Sequence, residues 1–274
     1  MGVPGDRRSR VDDVTFWFHS IDVGDGVVTP GLKSAETLAA ELASLRVPPL
    51  AGKSVLDIGA WDGYFAFAAE AAGAERVVAL DHYVWEFDLY PWTLDREGQR
   101  AWLAERGMDP DVSYQPEELP GVHRPDELPG RQGFDTAREL LGSRVQPVVA
   151  DLVTTDLDAL GTFDVVLYLG VLYHVKDPFL ALRRLREVTG ELAIIETSIM
   201  ALPGYEDAML WRFMEGRELD DDPTNWCQPN AVALEGVLAA AGFSHVEQMV
   251  GPPPADQIGG TEPQQFRAVM HARP

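Results

Sequence analysis

An α/β fold, with a mostly parallel sheet covered by helices on both faces, is what this sequence predicts. Three observations predict it: short buried-strand patterns alternate with helical ones, three of the strand patterns end on or near an aspartate, and 274 residues that are 46% hydrophobic suffice for one full core.

The elements follow in order. Lys53 to Ile58 reads as a buried strand between the Pro48-Pro-Leu-Ala-Gly52 turn and Gly59. Phe65 to Ala74 reads as a small apolar helix, and Arg76 to Asp81 as a second strand bounded by charges. The alternation returns with strands at Pro147 to Asp151, Phe163 to Leu169 and Leu192 to Thr197, and with helices at Phe134 to Leu141 and Pro178 to Val188. A helix at Ala231 to Ala241, an edge strand near His245 to Val250 and a last strand at Arg267 to Ala272 complete the pattern. We expect an N-terminal helical cap over residues 1–52 and one domain over 53–274, with insertions at about 82–132 and 200–230. There is no internal repeat.

The stretch Val55-Leu-Asp-Ile-Gly-Ala-Trp-Asp-Gly-Tyr64 carries the chemistry. Gly59 and Gly63 stand where a buried strand turns into a helix, so a ligand can approach the backbone closely. The spacing is not Gly-x-Gly-x-x-Gly, which leaves less room for a pyrophosphate. About twenty residues on, Asp81 closes the second strand, where a carboxylate accepts hydrogen bonds from a ribose diol. Asp57, Asp81 and Asp151 are expected to converge on one crevice at the carboxyl ends of the strands.

Leu56-Asp-Ile-Gly-Ala-Trp-Asp-Gly63 with Asp81 resembles the glycine motif and ribose-binding acid of the class I S-adenosylmethionine-dependent methyltransferases. Phe163-Asp-Val-Val-Leu-Tyr-Leu-Gly-Val-Leu-Tyr-His174, followed by Asp177-Pro178, resembles the branch containing the tRNA wobble-uridine carboxymethyltransferase. The resemblance implies a Rossmann-like, seven-stranded, mostly parallel sheet, with the aromatic-rich insertions as a lid. It implies S-adenosylmethionine as cofactor, with contacts from Lys33, Gly59, Asp81, Leu169 and Tyr173, and Asp151 and Leu152 beside the adenine. Asp57, Ala60, Trp61, Gly63, Tyr64, His82 and Gly170 are counted with that site. In the carboxymethyl branch a Lys, a Tyr and an Arg hold the extra carboxylate of carboxy-S-adenosylmethionine. Tyr173 and Arg267 match the last two, whereas the Lys position falls in Val11-Asp-Asp-Val14, where two acids repel a carboxylate. Ordinary S-adenosylmethionine is therefore the expected donor.

A hydroxyl acceptor has to lose a proton, and His174 is the first candidate base, with His19 in Phe16-Trp-Phe-His19 the second and Tyr173 beside them. Phe18, Trp85, Trp92, Trp211, Trp226 and Arg267 are candidates to wall or pair with the acceptor, and Glu196 to orient it. The expected acceptor is a small molecule of sugar or secondary-metabolite type. Transfer to a tRNA wobble uridine and a non-catalytic S-adenosylmethionine-binding subunit are the alternatives.

A formal net charge of −22, with basic runs no longer than Arg7-Arg8 and Arg183-Arg184, disfavours nucleic acid as a partner. The single Cys227 excludes an internal disulfide and fits a reducing, cytoplasmic setting. No apolar run approaches the ~20 residues of a membrane span, and the polar Met1 to Arg10 does not resemble a signal peptide. Six scattered histidines predict no metal site. Monomer and homodimer are both compatible with the chain.

Overall fold

A computed structural model of the chain describes residues 4–110, 118–119, 121–222 and 224–274; parts of both insertions, residues 111–117, 120 and 223, lie outside them, as do residues 1–3 of the polar N-terminus. The central strands β1 (Ser54–Ile58), β2 (Arg76–Asp81) and β4 (Phe163–Leu169) send alternate side chains to opposite faces. Val55, Val77, Ala79, Val165 and Leu167 enter one apolar layer, while Leu56, Val78, Leu80, Val166 and Tyr168 enter the other. Both faces are thus covered, as a parallel sheet requires.

With β3 (Gln146–Val149), β5 (Thr189–Ala201), β8 (His245–Val250) and β9 (Gln264–Arg273), the seven-stranded sheet runs β3-β2-β1-β4-β5-β9-β8. All pairings from β3 to β5 are parallel, and β9 is antiparallel to both of its neighbours. The chain reverses its direction of winding between β1 and β4, which opens a crevice at their carboxyl ends.

Helices α1 (Pro4–Asp12), α3 (Tyr64–Ala71) and α5 (Gln132–Leu141) supply Val11, Phe67 and Phe134 to the first layer. Helices α6 (Pro178–Val188) and α7 (Ala231–Ala240) supply Leu182, Leu185, Leu234 and Leu238 to the second. The start of α6 is written locally: Pro178 opens it and the Asp177 carboxylate caps the Leu180 amide at 3.0 Å. Its Ala181, Leu182, Leu185 and Val188 repeat at helical spacing and are buried. The remaining helices, α2 (Ala35–Ser44) and α4 (Arg96–Glu105), are capped by Ser34 and Asp95.

Besides shifts at element ends, such as β3 stopping at Val149, two residues short of Asp151, three details differ from the sequence expectation. β5 extends to Ala201, four residues past Thr197, because β9 pairs with it as far as Gln264. The first insertion contains α4 and a small core of its own, Phe87, Leu89 and Val122, against which Trp92 and Trp102 pack. The second contains a hairpin of β6 (Trp211–Phe213) and β7 (Cys227–Pro229).

Candidate cofactor and acceptor site

The turn after β1 is a cradle formed by backbone. Gly59 has φ +74°, and a Cβ there would stand 2.4 Å from Val171 Cγ2, so only glycine fits between β1 and the loop after β4. Trp61 holds φ +50°, a strained conformation for a bulky residue. Three contacts fix it. Its amide donates to Asp81 Oδ2 at 3.0 Å, its carbonyl accepts from Trp85 Nε1 at 2.8 Å, and its ring stacks on Phe18 at 4.1 Å and 12°. Next to it, Asp62 Oδ2 accepts the Phe18 and His19 amides at 2.7 Å each, tying the N-terminal strap across the turn.

Asp57, Asp62 and Asp81 are each at most 4% exposed. Among the described residues no lysine or arginine forms an ion pair with any of them. Burial pushes the Asp57 and Asp62 carboxyls up to about 7, and raises Asp81 as well. Asp81 also takes the Val84 amide on Oδ1 at 3.1 Å, so each of its oxygens retains acceptor capacity. Asp57 Oδ2 and Trp61 Nε1 are buried without a hydrogen-bond partner. A ligand carrying a ribose diol and positive charge fits this donor set: the diol satisfies Asp81, and the charge offsets carboxylates left without a cation.

The other wall is the end of β4 with the turn behind it. Gly170, at φ +71°, lies where a Cβ would stand 3.2 Å from the Tyr173 hydroxyl. The Arg267 guanidinium lies 5.1 Å over the Tyr173 ring and donates to its hydroxyl at 3.5 Å. Its Nε and Nη2 both donate to Glu196, a bidentate pair. The pair forms because Arg267 lies opposite Ser198 on β5, so Glu196, two residues along, shares its face of the sheet. Burial raises the Tyr173 phenol, which therefore stays protonated and acts as a donor.

His174 Nδ1 lies 2.9 Å from Thr224 Oγ1 and 3.2 Å from the Thr224 carbonyl. Desolvation lowers its pKa from the usual histidine value, so it is neutral at pH 7. The Trp226 amide donates to the Tyr173 carbonyl at 2.7 Å, fastening the second insertion to this turn.

Several candidates named from sequence find other surroundings. Trp85 is fully buried against Phe134, so it supports the glycine turn and cannot wall an acceptor. His19 is 4% exposed among Phe18, Tyr64 and Phe65, and burial drives its pKa down to about 3; it is a packed neutral ring with no route to an acceptor. Trp92 packs on the core of the first insertion. Lys33 pairs with Glu41 at 2.8 Å and lies 5.4 Å from the centre of Phe18. The Asp151 carboxylate caps its own turn through Val153 N at 2.7 Å and Thr154 Oγ1 at 2.9 Å, with His82 Nε2 3.8 Å away and Leu152 buried beside it.

Gly59 to Tyr64, Asp57 and Asp81 come together at the glycine turn; Gly170, Tyr173 and Arg267 come together at the end of β4, with Leu169 just before them. Lys176 Nζ lies over the Trp226 ring, 4.6 Å from its centre, and Trp211 is half-buried in the β6–β7 hairpin. Sequence reasoning missed Asp222 and Thr224, which reach His174 from about fifty residues away.

Comparison with known proteins gives the family and the fold. The methyltransferase domain family matches residues 33–248. The tRNA U34 carboxymethyltransferase of Cronobacter sakazakii is 26% identical over 205 residues, 74% of this chain and 48% of that protein. The enzyme of the same name from Pseudomonas putida is 29% identical over 213 residues, 73% and 49% of the two. The chain thus spans about half the length of these curated relatives. The crystal structure of the N-terminal domain of EvdMO1 in the presence of SAH and D-fucose has a TM-score of 0.59 at 17% identity, covering 100% of this chain and 97% of that one. Its likeness shows the shared fold. With a family match over most of its length and the glycine turn and strand-end acid in place, the chain belongs to the methyltransferase domain family, among the class I enzymes that use S-adenosylmethionine.

Proposed function

We propose that this chain moves a methyl group from S-adenosylmethionine to a small molecule, at a hydroxyl of a sugar or secondary metabolite. The observation that carries the choice of donor is the Arg267–Glu196 pair. A carboxymethyl donor brings a carboxylate that needs a cation of its own. Arg267 is the cation in reach of Tyr173, and Glu196 already neutralises it. Arg10, beside the acidic Asp12-Asp13, is paired with Glu139. A net charge of −22 favours a small acceptor over tRNA, whose phosphates need a basic surface.

S-adenosylmethionine, when bound, supplies a methyl group made electrophilic by its sulfonium. The chain's own residues supply alignment, exclusion of water and removal of a proton. Asp81 would hold the ribose hydroxyls and the turn around Gly59 would admit the cofactor closely. Tyr173 and the Arg267–Glu196 pair offer donors and acceptors to a polyhydroxylated acceptor. His174, neutral because burial lowers its pKa, takes the hydroxyl proton at Nε2. Activity should rise with pH through a limb below the ordinary histidine value of about 6.5 and be flat above it.

Calorimetric titration with S-adenosylmethionine and with carboxy-S-adenosylmethionine tests the donor. Tighter binding of the ordinary cofactor is expected; preference for the carboxylated one overturns the reading. Methyl transfer to a panel of sugars and hydroxylated metabolites, run beside unmodified tRNA, tests the acceptor, and modification of the tRNA alone would contradict the small-molecule assignment.

A further inference from the structure

We infer that Asp222 and Thr224 form a positioning relay that fixes the tautomer of His174, leaving the Nε2 lone pair free for the acceptor proton. This deepens the methyl-to-hydroxyl reading and rests on it for its purpose. Thr224 Oγ1 lies 2.7 Å from Asp222 Oδ1, which also accepts the Thr224 amide at 2.8 Å. A carboxylate oxygen only accepts, so the threonine proton lies between these two oxygens. Thr224 Oγ1 then has no proton for His174 and must accept one. The Thr224 carbonyl, 3.2 Å from the same Nδ1, is also an acceptor only. Two acceptors converge on Nδ1, which therefore carries the hydrogen, and neutral His174 is protonated there and bare at Nε2. The reverse assignment would leave the threonine and aspartate oxygens 2.7 Å apart with no proton between them and set the carbonyl against a nitrogen lone pair.

Nε2 makes no hydrogen bond among the described residues. It is also absent from the buried polar atoms without a partner, which include His19 Nδ1. The His174 side chain is half-buried rather than sealed off. When Nε2 takes the acceptor proton, the imidazolium keeps its Nδ1 proton on Thr224 and the threonine keeps its own on Asp222. The Asp222 charge stabilises the cation from a distance, opposed by Arg267. The arrangement is held by the Trp226 amide on the Tyr173 carbonyl and by Cys227 Sγ, 3.6 Å from the Leu172 carbonyl.

Long-range ¹⁵N–¹H correlation spectra of the uniformly labelled, acceptor-free protein test this, with His174→Gln assigning the signals. The relay predicts the Nδ1–H form in about tenfold excess, as one retained hydrogen bond gives. Thr224→Val, close in shape, leaves the backbone carbonyl as the one acceptor at Nδ1 and should reduce the Nδ1–H excess, while Thr224→Ser should restore the wild-type spectrum. A wild-type ring in the Nε2–H form, or one that Thr224→Val leaves unchanged while the protein melts cooperatively, overturns the relay. The wild-type spectrum alone is decisive if Thr224→Val does not fold. Because it is read without donor or acceptor, its failure is distinct from failure of the methyl-transfer reading, which the two-cofactor titration decides.

Discussion

The two walls of the crevice handle charge in opposite ways. At the glycine turn, Asp57, Asp62 and Asp81 are buried with no lysine or arginine paired to them among the described residues. At the end of β4, Arg267 is matched by Glu196, and His174 is backed by Thr224 and Asp222. The first wall is electrostatically incomplete until a cation arrives, and the second is complete as it stands. A cationic cofactor and a neutral acceptor are the ligands such a pair of walls suits.

Four perturbations break or sharpen this contrast. The largest concerns pH. Asp57 titrates near 7 in the folded chain, above its unfolded value, so its contribution is fully present below about pH 4 and is lost as pH rises to 7. His19, lowered to about 3, works in the opposite direction, adding stability as pH rises from 3 to 6.5. Comparing wild type with Asp57→Asn by urea denaturation without cofactor isolates the carboxylate. The wild-type advantage should shrink by roughly 2 to 4 kcal/mol between pH 4 and 8, and an unchanged difference would remove Asp57 from the unbalanced set.

Second, Asp81→Asn should weaken S-adenosylmethionine by about 100-fold in calorimetry, the value of two hydrogen bonds to a charged acceptor. Third, Glu196→Gln frees the Arg267 guanidinium and should tighten carboxy-S-adenosylmethionine by about tenfold while leaving the ordinary cofactor nearly unchanged; equal effects on both would mean that the pair serves only the fold. The smallest effect is at the strap. A double-mutant cycle on Phe18→Leu and Trp61→Leu should return about 1 kcal/mol of coupling in thermal denaturation, as stacked rings give.

What the sequence made legible follows the range of the interactions. β1, β2 and α6 were readable because their signals are local: apolar runs ending in aspartate, and Asp177-Pro178 opening a periodic helix. The glycine turn was readable because Gly59 and Asp81 carry their constraint in residue type and spacing. The extension of β5 was not, because β9 imposes it from more than sixty residues away. Trp85 and His19 looked like site residues because aromatic and titratable side chains near a cofactor motif read alike whether buried or open; only packing separates them. Thr224 is an unremarkable loop threonine until the fold sets it beside His174.

The most direct test of the charge contrast is the proton count on cofactor binding. Calorimetric titration with S-adenosylmethionine at pH 6.5, in buffers of different ionisation heat, reads both affinity and protons exchanged. The account predicts binding with net proton release, because the incoming positive charge ionises the Asp57 and Asp62 carboxyls, which burial holds partly protonated. Binding without proton release, or no binding at all, would contradict it.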